Sequence, residues 1–469
     1  MSLACFKTYD IRGRLGDELN EDLAYRIGRA YGIVIKGKDI VVGGDARASS
    51  KMLTHALSNG LRDSGMNVVD IGLVGTEEIY FATSYLAMDG GIIVTASHNP
   101  IDYNGMKLVG VDSKPISRTC GLSEIEQLTE TQPWLSRTEN IAIDIGTYHQ
   151  CNNLIPYVNH LMTYITPTKI KPYKLVVNSG NGAAGHVIDE IERQFAQLSI
   201  PIDFIKLHHQ ADASFPHGIP NPLLIENRQS TIDAVIEHNA DMGIAWDGDF
   251  DRCFLFDETG AFVEGYYIVG LLAQAFLQHE SGAKIIHDPR LTWNSIEMIE
   301  QAGGQAILCE TGHAPIKEAM RKENAIYGGE MSAHHYFRDF FFCDSGMIPW
   351  LLIIQLLSVK KITLSQAVNA RIAAYPSSGE INLKLNNTKQ AIDAVLRHYQ
   401  TTASHVDYTD GISMEFTPTQ SDQQWRFNLR VSNTEPVIRL NVESKANKAL
   451  MQQKIHDILL LLKQFSSSC

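Results

Sequence analysis

With 469 residues the chain is too long for a single core, which stops growing at about 250–300 residues, so several domains are expected. A composition of 44% hydrophobic and 20% charged residues is that of a globular protein, and a net charge of −13 without any Lys/Arg run excludes a nucleic-acid binder. Seven scattered cysteines, odd in number and without a C-x-x-C pair, argue against a disulfide framework or structural zinc and for a reducing, cytoplasmic setting.

Residues 1–13 hold no apolar run long enough for a signal peptide, and Tyr9-Asp10-Ile11-Arg12-Gly13 places an early cation, Arg12. Ile40-Val41-Val42, ending at Gly43-Gly44-Asp45, is the first buried-strand pattern. A second one, Ile92-Ile93-Val94, runs into Thr95-Ala96-Ser97-His98-Asn99-Pro100. There Ser97 is expected to stand exposed on a loop beside a proton acceptor, His98, with Lys107 shortly after. The G-x-S-x-G elbow is absent, so a serine with a cation close by suits phosphoryl chemistry better than acyl transfer. By itself Thr95 to Pro100 reads more readily as a plain turn, and it is the following Asp102 to Lys107 that turns the balance.

The same plan returns twice. Leu175-Val176-Val177 ends at Asn178-Ser179-Gly180, and Gly243-Ile244-Ala245-Trp246 delivers Asp247-Gly248-Asp249-Phe250-Asp251-Arg252. Gly248 lets the loop curl so that three carboxylates converge. Without His or Cys nearby they specify a hard cation, Mg²⁺ or Ca²⁺. The EF-hand and the Asp-nucleophile phosphohydrolases use similar letters. Arg252 stands where the EF-hand needs glycine, and Asp251 where the phosphohydrolases carry Thr or Val. In the third unit Ile285-Ile286 ends at His287-Asp288-Pro289, with Arg290 following. Ala325-Ile326-Tyr327 then leads into Gly328-Gly329-Glu330-Met331-Ser332-Ala333-His334. A carboxylate and a hydroxyl on a loosened turn suit sugar hydroxyls, although a structural loop reads the same way. The longest apolar stretch, Met347 to Val359, is interrupted by Pro349, Gln355 and Ser358 and falls short of the ~20 residues of a membrane span, so a core helix is expected.

After Tyr375-Pro376-Ser377-Ser378-Gly379 alternating stretches appear, such as Ile381 to Leu385 and Trp425 to Val431, with a helical pattern from Lys445 to Phe465. Arg430-Val431-Ser432-Asn433-Thr434-Glu435-Pro436 combines a guanidinium, hydroxyls and an amide, an anion cradle or else a hairpin turn. The expected architecture is α/β: three similar mixed α/β domains with parallel-type sheets and a smaller C-terminal α+β domain, around one central cleft. The domains are placed at residues 1–145, 150–256, 257–371 and 376–469.

In this order the four loops resemble the α-D-phosphohexomutase superfamily, over essentially the whole chain. The resemblance implies a phosphoserine enzyme with Mg²⁺ and a sugar 1,6-bisphosphate as intermediate and activator. Ser97 would carry the phosphoryl group, and Asp247, Asp249 and Asp251 would hold Mg²⁺ together with an oxygen on Ser97. Glu330, Ser332, His313 and Arg252 would meet the sugar. Arg430, Ser432, Asn433 and Thr434 would hold the second phosphate, and Tyr9, Arg290 and His334 would line the cleft. His98, Lys107 and Arg12 are the candidates for proton transfer. Phe250 departs from the family, which usually has a second glycine there, and is expected to stiffen the metal loop. Arg290 stands where related enzymes carry Lys. The stretches from Gly328 and from Cys343 are similar to bacterial phosphomannomutases making GDP-mannose precursors for surface polysaccharides. A glucose-directed or dual-specificity relative is the alternative; an Asp-nucleophile phosphohydrolase and a calcium-binding module are remote ones. The implied partners are hexose phosphates, without nucleic acid, membrane or an obligate protein partner.

Overall fold

A computed structural model describes residues 3–135, 144–432 and 437–465. The chain forms two compact units, Met1–Phe262 with His335–Lys361, and Val263–His334 with Ile362–Cys469.

In the first unit a mixed sheet runs in the order Ile11–Arg14, Tyr103–Gly110, Gly90–Val94, Asp39–Gly44, Asn67–Leu73, Tyr148–Gln150. Asp39–Gly44 pairs in parallel with Gly90–Val94 and Asn67–Leu73, whereas Tyr103–Gly110 pairs antiparallel with Gly90–Val94. All five residues of Gly90–Val94 are buried, as expected of a central strand covered on both faces. Helix Glu21–Val34 begins at Asn20, whose side chain accepts from Leu23 N, and packs with Ser50–Asp63 over a core that includes Ile27, Leu57, Leu61, Val42 and Ile92. A second sheet carries Cys253–Phe256, Met242–Trp246, Tyr173–Asn178 and Ile202–Leu207 in that order. The last three are parallel, and Cys253–Phe256 runs back antiparallel to Met242–Trp246. The apolar stretch near residue 350 is the helix Ile348–Lys360, largely buried and opened by Pro349 in its first turn, where proline is tolerated. It docks on the second sheet, Tyr173 Oη donating to Ile354 O (3.1 Å), and Trp246 Nε1 donates to Gly346 O (2.8 Å) just before it. No single described helix is long and apolar enough to cross a membrane.

The second unit contains the parallel strands Gln305–Leu308, Lys284–His287 and Tyr327–Gly329. The strand expected at Ala325-Ile326-Tyr327 begins two residues later and takes in both glycines. Ala325 N closes the preceding helix instead, donating to Met320 O. The C-terminal part is an antiparallel sheet in the order Ile381–Leu383, Ile438–Ser444, Trp425–Val431, Ile412–Phe416, His405–Asp407. Trp425, Phe427 and Leu429 fill one core with residues of helices Thr388–Tyr399 and Lys448–Lys463, while Arg426, Asn428 and Arg430 share the opposite face.

Candidate active site

Ser97 follows strand Gly90–Val94 and is almost fully buried, with a left-handed backbone (φ 47°) that serine seldom adopts. Its conformation is held from behind. Ser97 N donates to Thr95 Oγ1 (2.8 Å), whose hydroxyl donates to Asp45 Oδ2 (2.6 Å). Arg47 reaches the same loop and donates to the carbonyls of Ser97 (2.8 Å), Asn99 (2.5 Å), Pro100 (2.8 Å) and Tyr103 (3.0 Å). In front, Ser97 Oγ donates to Asp247 Oδ2 (2.7 Å) and lies 3.1 Å from His98 Nδ1. The two loops touch so closely that a Cβ on Gly248 would fall 2.6 Å from Ser97 O, so glycine is required there.

Asp247, Asp249 and Asp251 are buried, with one oxygen from each lying within 4.8 Å of the others. Three like charges at that spacing need counter-charge. Lys107 Nζ supplies part of it, 2.6 Å from Asp249 Oδ2 and 2.5 Å from Asp251 Oδ2. Arg252 supplies more, its Nε and Nη2 donating to Asp247 Oδ2 (2.8 and 2.6 Å). Burial works to discharge Lys107, but the two carboxylates outweigh it and hold the amine well above lysine's ordinary range. Burial likewise opposes ionisation of Asp249, yet Lys107 keeps that carboxyl well below its usual range. Asp249 Oδ1 is buried and accepts no hydrogen bond among the described residues. Carboxylate oxygens alone, one of them unpartnered, fit a hard divalent cation such as Mg²⁺. His98 is half-buried and is driven towards the neutral imidazole by desolvation and then by Arg252, whose Nη2 makes a short contact with His98 Nδ1. Arg12 donates from Nε to Asp10 Oδ2 (2.8 Å) and from Nη1 to Asn99 Oδ1 (2.5 Å) at the rim of the serine loop. Tyr9 lies partly exposed just before Asp10.

The second unit gathers the remaining candidates. Arg290 Nη2 donates to Asp288 Oδ2 (2.7 Å), Glu330 Oε1 (3.3 Å) and Ser332 Oγ (3.2 Å). Gly312 N donates to Glu330 Oε1 (3.2 Å), just before His313 opens helix His313–Glu323. Glu330 N donates to His334 O (2.9 Å), closing the loop. Arg430 is almost fully buried, its Nη2 donating to Glu380 Oε2 (3.4 Å) and its Nε 3.7 Å from Asp410 Oδ2. Arg290 (3.6 Å) and Arg439 (3.4 Å) reach the same Glu380 carboxylate. Ser432 is buried on the shoulder of this group, its N donating to Val437 O (2.9 Å); Asn433 and Thr434 lie outside the described residues.

Sequence reasoning missed Asp45, Arg47, Thr76, Glu380 and Asp410. A signal for the first two was present. Asp45-Ala46-Arg47 and Asp288-Pro289-Arg290 follow equivalent strands with the same D-x-R spacing. In each, the arginine N donates to the aspartate Oδ1 (3.0 and 2.9 Å), and the arginine side chain grips the next loop.

Four family models match in chain order. They are described as phosphoglucomutase/phosphomannomutase alpha/beta/alpha domain I (residues 4–135), domain II (155–260), domain III (264–375) and the C-terminal domain (380–460). A phosphomannomutase of Vibrio cholerae is 60% identical, over 98% of this chain and 99% of its own length. One from Escherichia coli K12 is 58% identical over the same shares. The crystal structure of a phosphoglucomutase/phosphomannomutase family protein from Burkholderia thailandensis superposes with a TM-score of 0.85 at 30% identity, covering 100% of this chain and 99% of that one. Fold and matches together define the class as the phosphohexomutases, which are isomerases. The chain belongs to the phosphoglucomutase/phosphomannomutase family.

Proposed function

We propose that this protein is a cytoplasmic phosphomannomutase, interconverting mannose 1-phosphate and mannose 6-phosphate and so feeding GDP-mannose and surface polysaccharide synthesis. Ser97 carries the phosphoryl group between the two positions, and a mannose 1,6-bisphosphate forms in between. The domain division that goes with this reading is 1–145, 150–256, 257–371 and 376–469.

The observation that carries this proposal is Ser97 Oγ at 2.7 Å from the first carboxylate of the Asp247–Asp251 loop. A nucleophile set there can hand a phosphoryl group to and from a site that neutralises its charge. Mg²⁺, held by Asp247, Asp249 and Asp251, would draw negative charge from the transferring oxygens. Arg252 sits against both Asp247 and His98, where it can follow charge moving on or off Ser97. A neutral His98 beside Ser97 Oγ can take the hydroxyl proton or return it. Lys107, held charged by two carboxylates, is a poor base and serves as counter-charge. Glu330 and Ser332 would receive sugar hydroxyls, while Arg430, Ser432, Asn433 and Thr434 would receive the phosphate that is not reacting. Asp247 is a poor nucleophile itself, since its Oδ2 already accepts from Ser97 and Arg252. That weighs against an Asp-based phosphohydrolase.

Two measurements test the proposal. Intact mass and peptide mapping, before and after incubation with mannose 1,6-bisphosphate, should place one phosphate on Ser97. Label on Asp247 would replace the mechanism with a phosphohydrolase's. Turnover should favour mannose 1-phosphate over glucose 1-phosphate; equal kcat/KM for the two would make it a dual-specificity enzyme.

A further inference from the structure

We infer that Thr76 is a positioning residue for the cation-binding loop, a two-point clamp on Asp249 that Phe250 locks in place. Thr76 opens helix Thr76–Tyr85 and is fully buried. Its N–H donates to Asp249 O (3.0 Å) and its Oγ1 to Asp249 Oδ2 (2.5 Å). Main chain and side chain of one aspartate are thus both held by one threonine. Once Oδ2 is engaged by Thr76 and Lys107, the carboxylate cannot rotate without losing both donors, and Oδ1 is the oxygen left for a cation. The inference rests on the proposed role of Asp249 as a metal ligand, and it explains how that ligand is aimed.

The turn that carries Thr76 is itself braced. Glu78 Oε2 accepts from Gly75 N (2.9 Å), closing the first turn of the helix, and His186 Nε2 lies 3.1 Å from both oxygens of Glu78. Phe250 follows the clamped aspartate with φ 43°, a left-handed conformation that costs a non-glycine residue about 1–2 kcal/mol. Its ring is completely buried against Gly75, where a Cβ would lie 2.1–2.5 Å from three ring carbons. The bare backbone of Gly75 is therefore the socket for Phe250, and burying the ring offsets the strained backbone. Glycine at position 250 could take the same φ without strain but would leave that socket empty. In this chain the aromatic ring ties the cation loop to the helix that carries the clamp.

The test uses the full-length protein, Mn²⁺ alone as the probe read by electron paramagnetic resonance, and steady-state kinetics with Mg²⁺ titrated. Thr76→Val keeps shape and the N–H but removes the hydroxyl. It should weaken Mn²⁺ binding about 10- to 100-fold, the worth of one hydrogen bond to a charged group. It should lower kcat at saturating Mg²⁺ and leave KM for mannose 1-phosphate within about twofold. Thr76→Ser should restore Mn²⁺ affinity to within about threefold, which a merely space-filling threonine would not require. Phe250→Gly, a second route should Thr76→Val fail to fold, should weaken Mn²⁺ about tenfold without touching a ligand. Asp249→Ala is the control that separates the two levels. If wild type binds no Mn²⁺, or Asp249→Ala binds it equally well, the metal loop assignment falls and the clamp with it. If Asp249→Ala loses Mn²⁺ while Thr76→Val and Phe250→Gly bind it as wild type does, the clamp alone is overturned.

Discussion

Between Thr76, which holds the cation loop, and Glu78, which caps its helix, lies a third residue with a separate role. Glu77 is fully buried and its Oε1 accepts from Tyr157 Oη at 2.5 Å. Burial pushes its carboxyl well above the usual range, outweighing the hydrogen bonds of Ser345 and Tyr157, and the nearby Glu78 and Asp344 push the same way. In the folded protein Glu77 therefore holds its proton to a higher pH than in the unfolded chain. Stability from this group is complete below the ordinary glutamate pKa and is lost as pH rises through the raised value. Glu77→Gln replaces the neutral acid with a group that does not titrate. Its Tm should fall less than that of wild type between about pH 5 and about pH 8, as thermal unfolding at several pH values would show. Parallel Tm profiles would mean that Glu77 is ionised in the fold. Residues of this kind were the least legible in the sequence. Ser97 and the three aspartates stood out because their types and spacing are rare, whereas Thr76, Glu77 and Glu78 look like any helix start. Their roles exist only once residues some 170 positions apart meet, as Thr76 and Asp249 do.

At the scale of elements the sequence was more readable. Apolar runs such as Ile92-Ile93-Val94 and Leu175-Val176-Val177 are buried parallel strands, and the alternation from Trp425 to Val431 is one strand with a core face and a cationic face. Boundaries were less secure, since Gly328 and Gly329 read as a turn but pair with Ile286 and His287. The cradle near strand Ile381–Leu383 was legible by half. Arg430 was evident, but Glu380, one residue before the strand, carries no motif. Its carboxylate faces Arg290, Arg430 and Arg439 at 3.4–3.6 Å and occupies the place where an anion would gain most from three guanidinium groups. A phosphate arriving there must compete with it. Arg290 and Arg430 are buried, but Glu380 remains 22% exposed, so solvent screens part of its hold on them. Glu380→Gln should tighten binding of inorganic phosphate by up to about fivefold, measured by calorimetry on the full chain. Weaker binding would show instead that Glu380 serves to hold the arginines in position.

For the whole molecule the charge distribution has a consequence. A chain of net charge −13 gathers Arg12, Arg47, Lys107 and Arg252 around Ser97 in one compact unit, and Arg290, Arg430 and Arg439 in the other. The chain passes between the units at residues 262/263, 334/335 and 361/362, so neither unit is a continuous stretch. Every described contact of Ser97 and the aspartate loop named above lies in the first unit, and every one of Arg430 in the second. The chemistry of the serine should then be separable from the holding of the second phosphate. Loading Ser97 from a small donor such as acetyl phosphate needs the nucleophile, its counter-charges and a cation. Turnover of a sugar phosphate also needs the reacting hydroxyl to be aimed, and misplacement of that kind costs about 10²-fold. Arg430→Ala should therefore lower kcat/KM for mannose 1-phosphate by about 10²-fold or more, while intact mass shows Ser97 loading from acetyl phosphate at close to the wild-type rate. Arg430→Lys should recover little of the loss, because a point charge on a flexible stem does not reproduce the planar fork that meets two phosphate oxygens. If Arg430→Ala slows serine loading as much as turnover, the two halves of the reaction are not separable. If both variants turn over like wild type, the Arg430 cluster is a structural ion network and holds no phosphate.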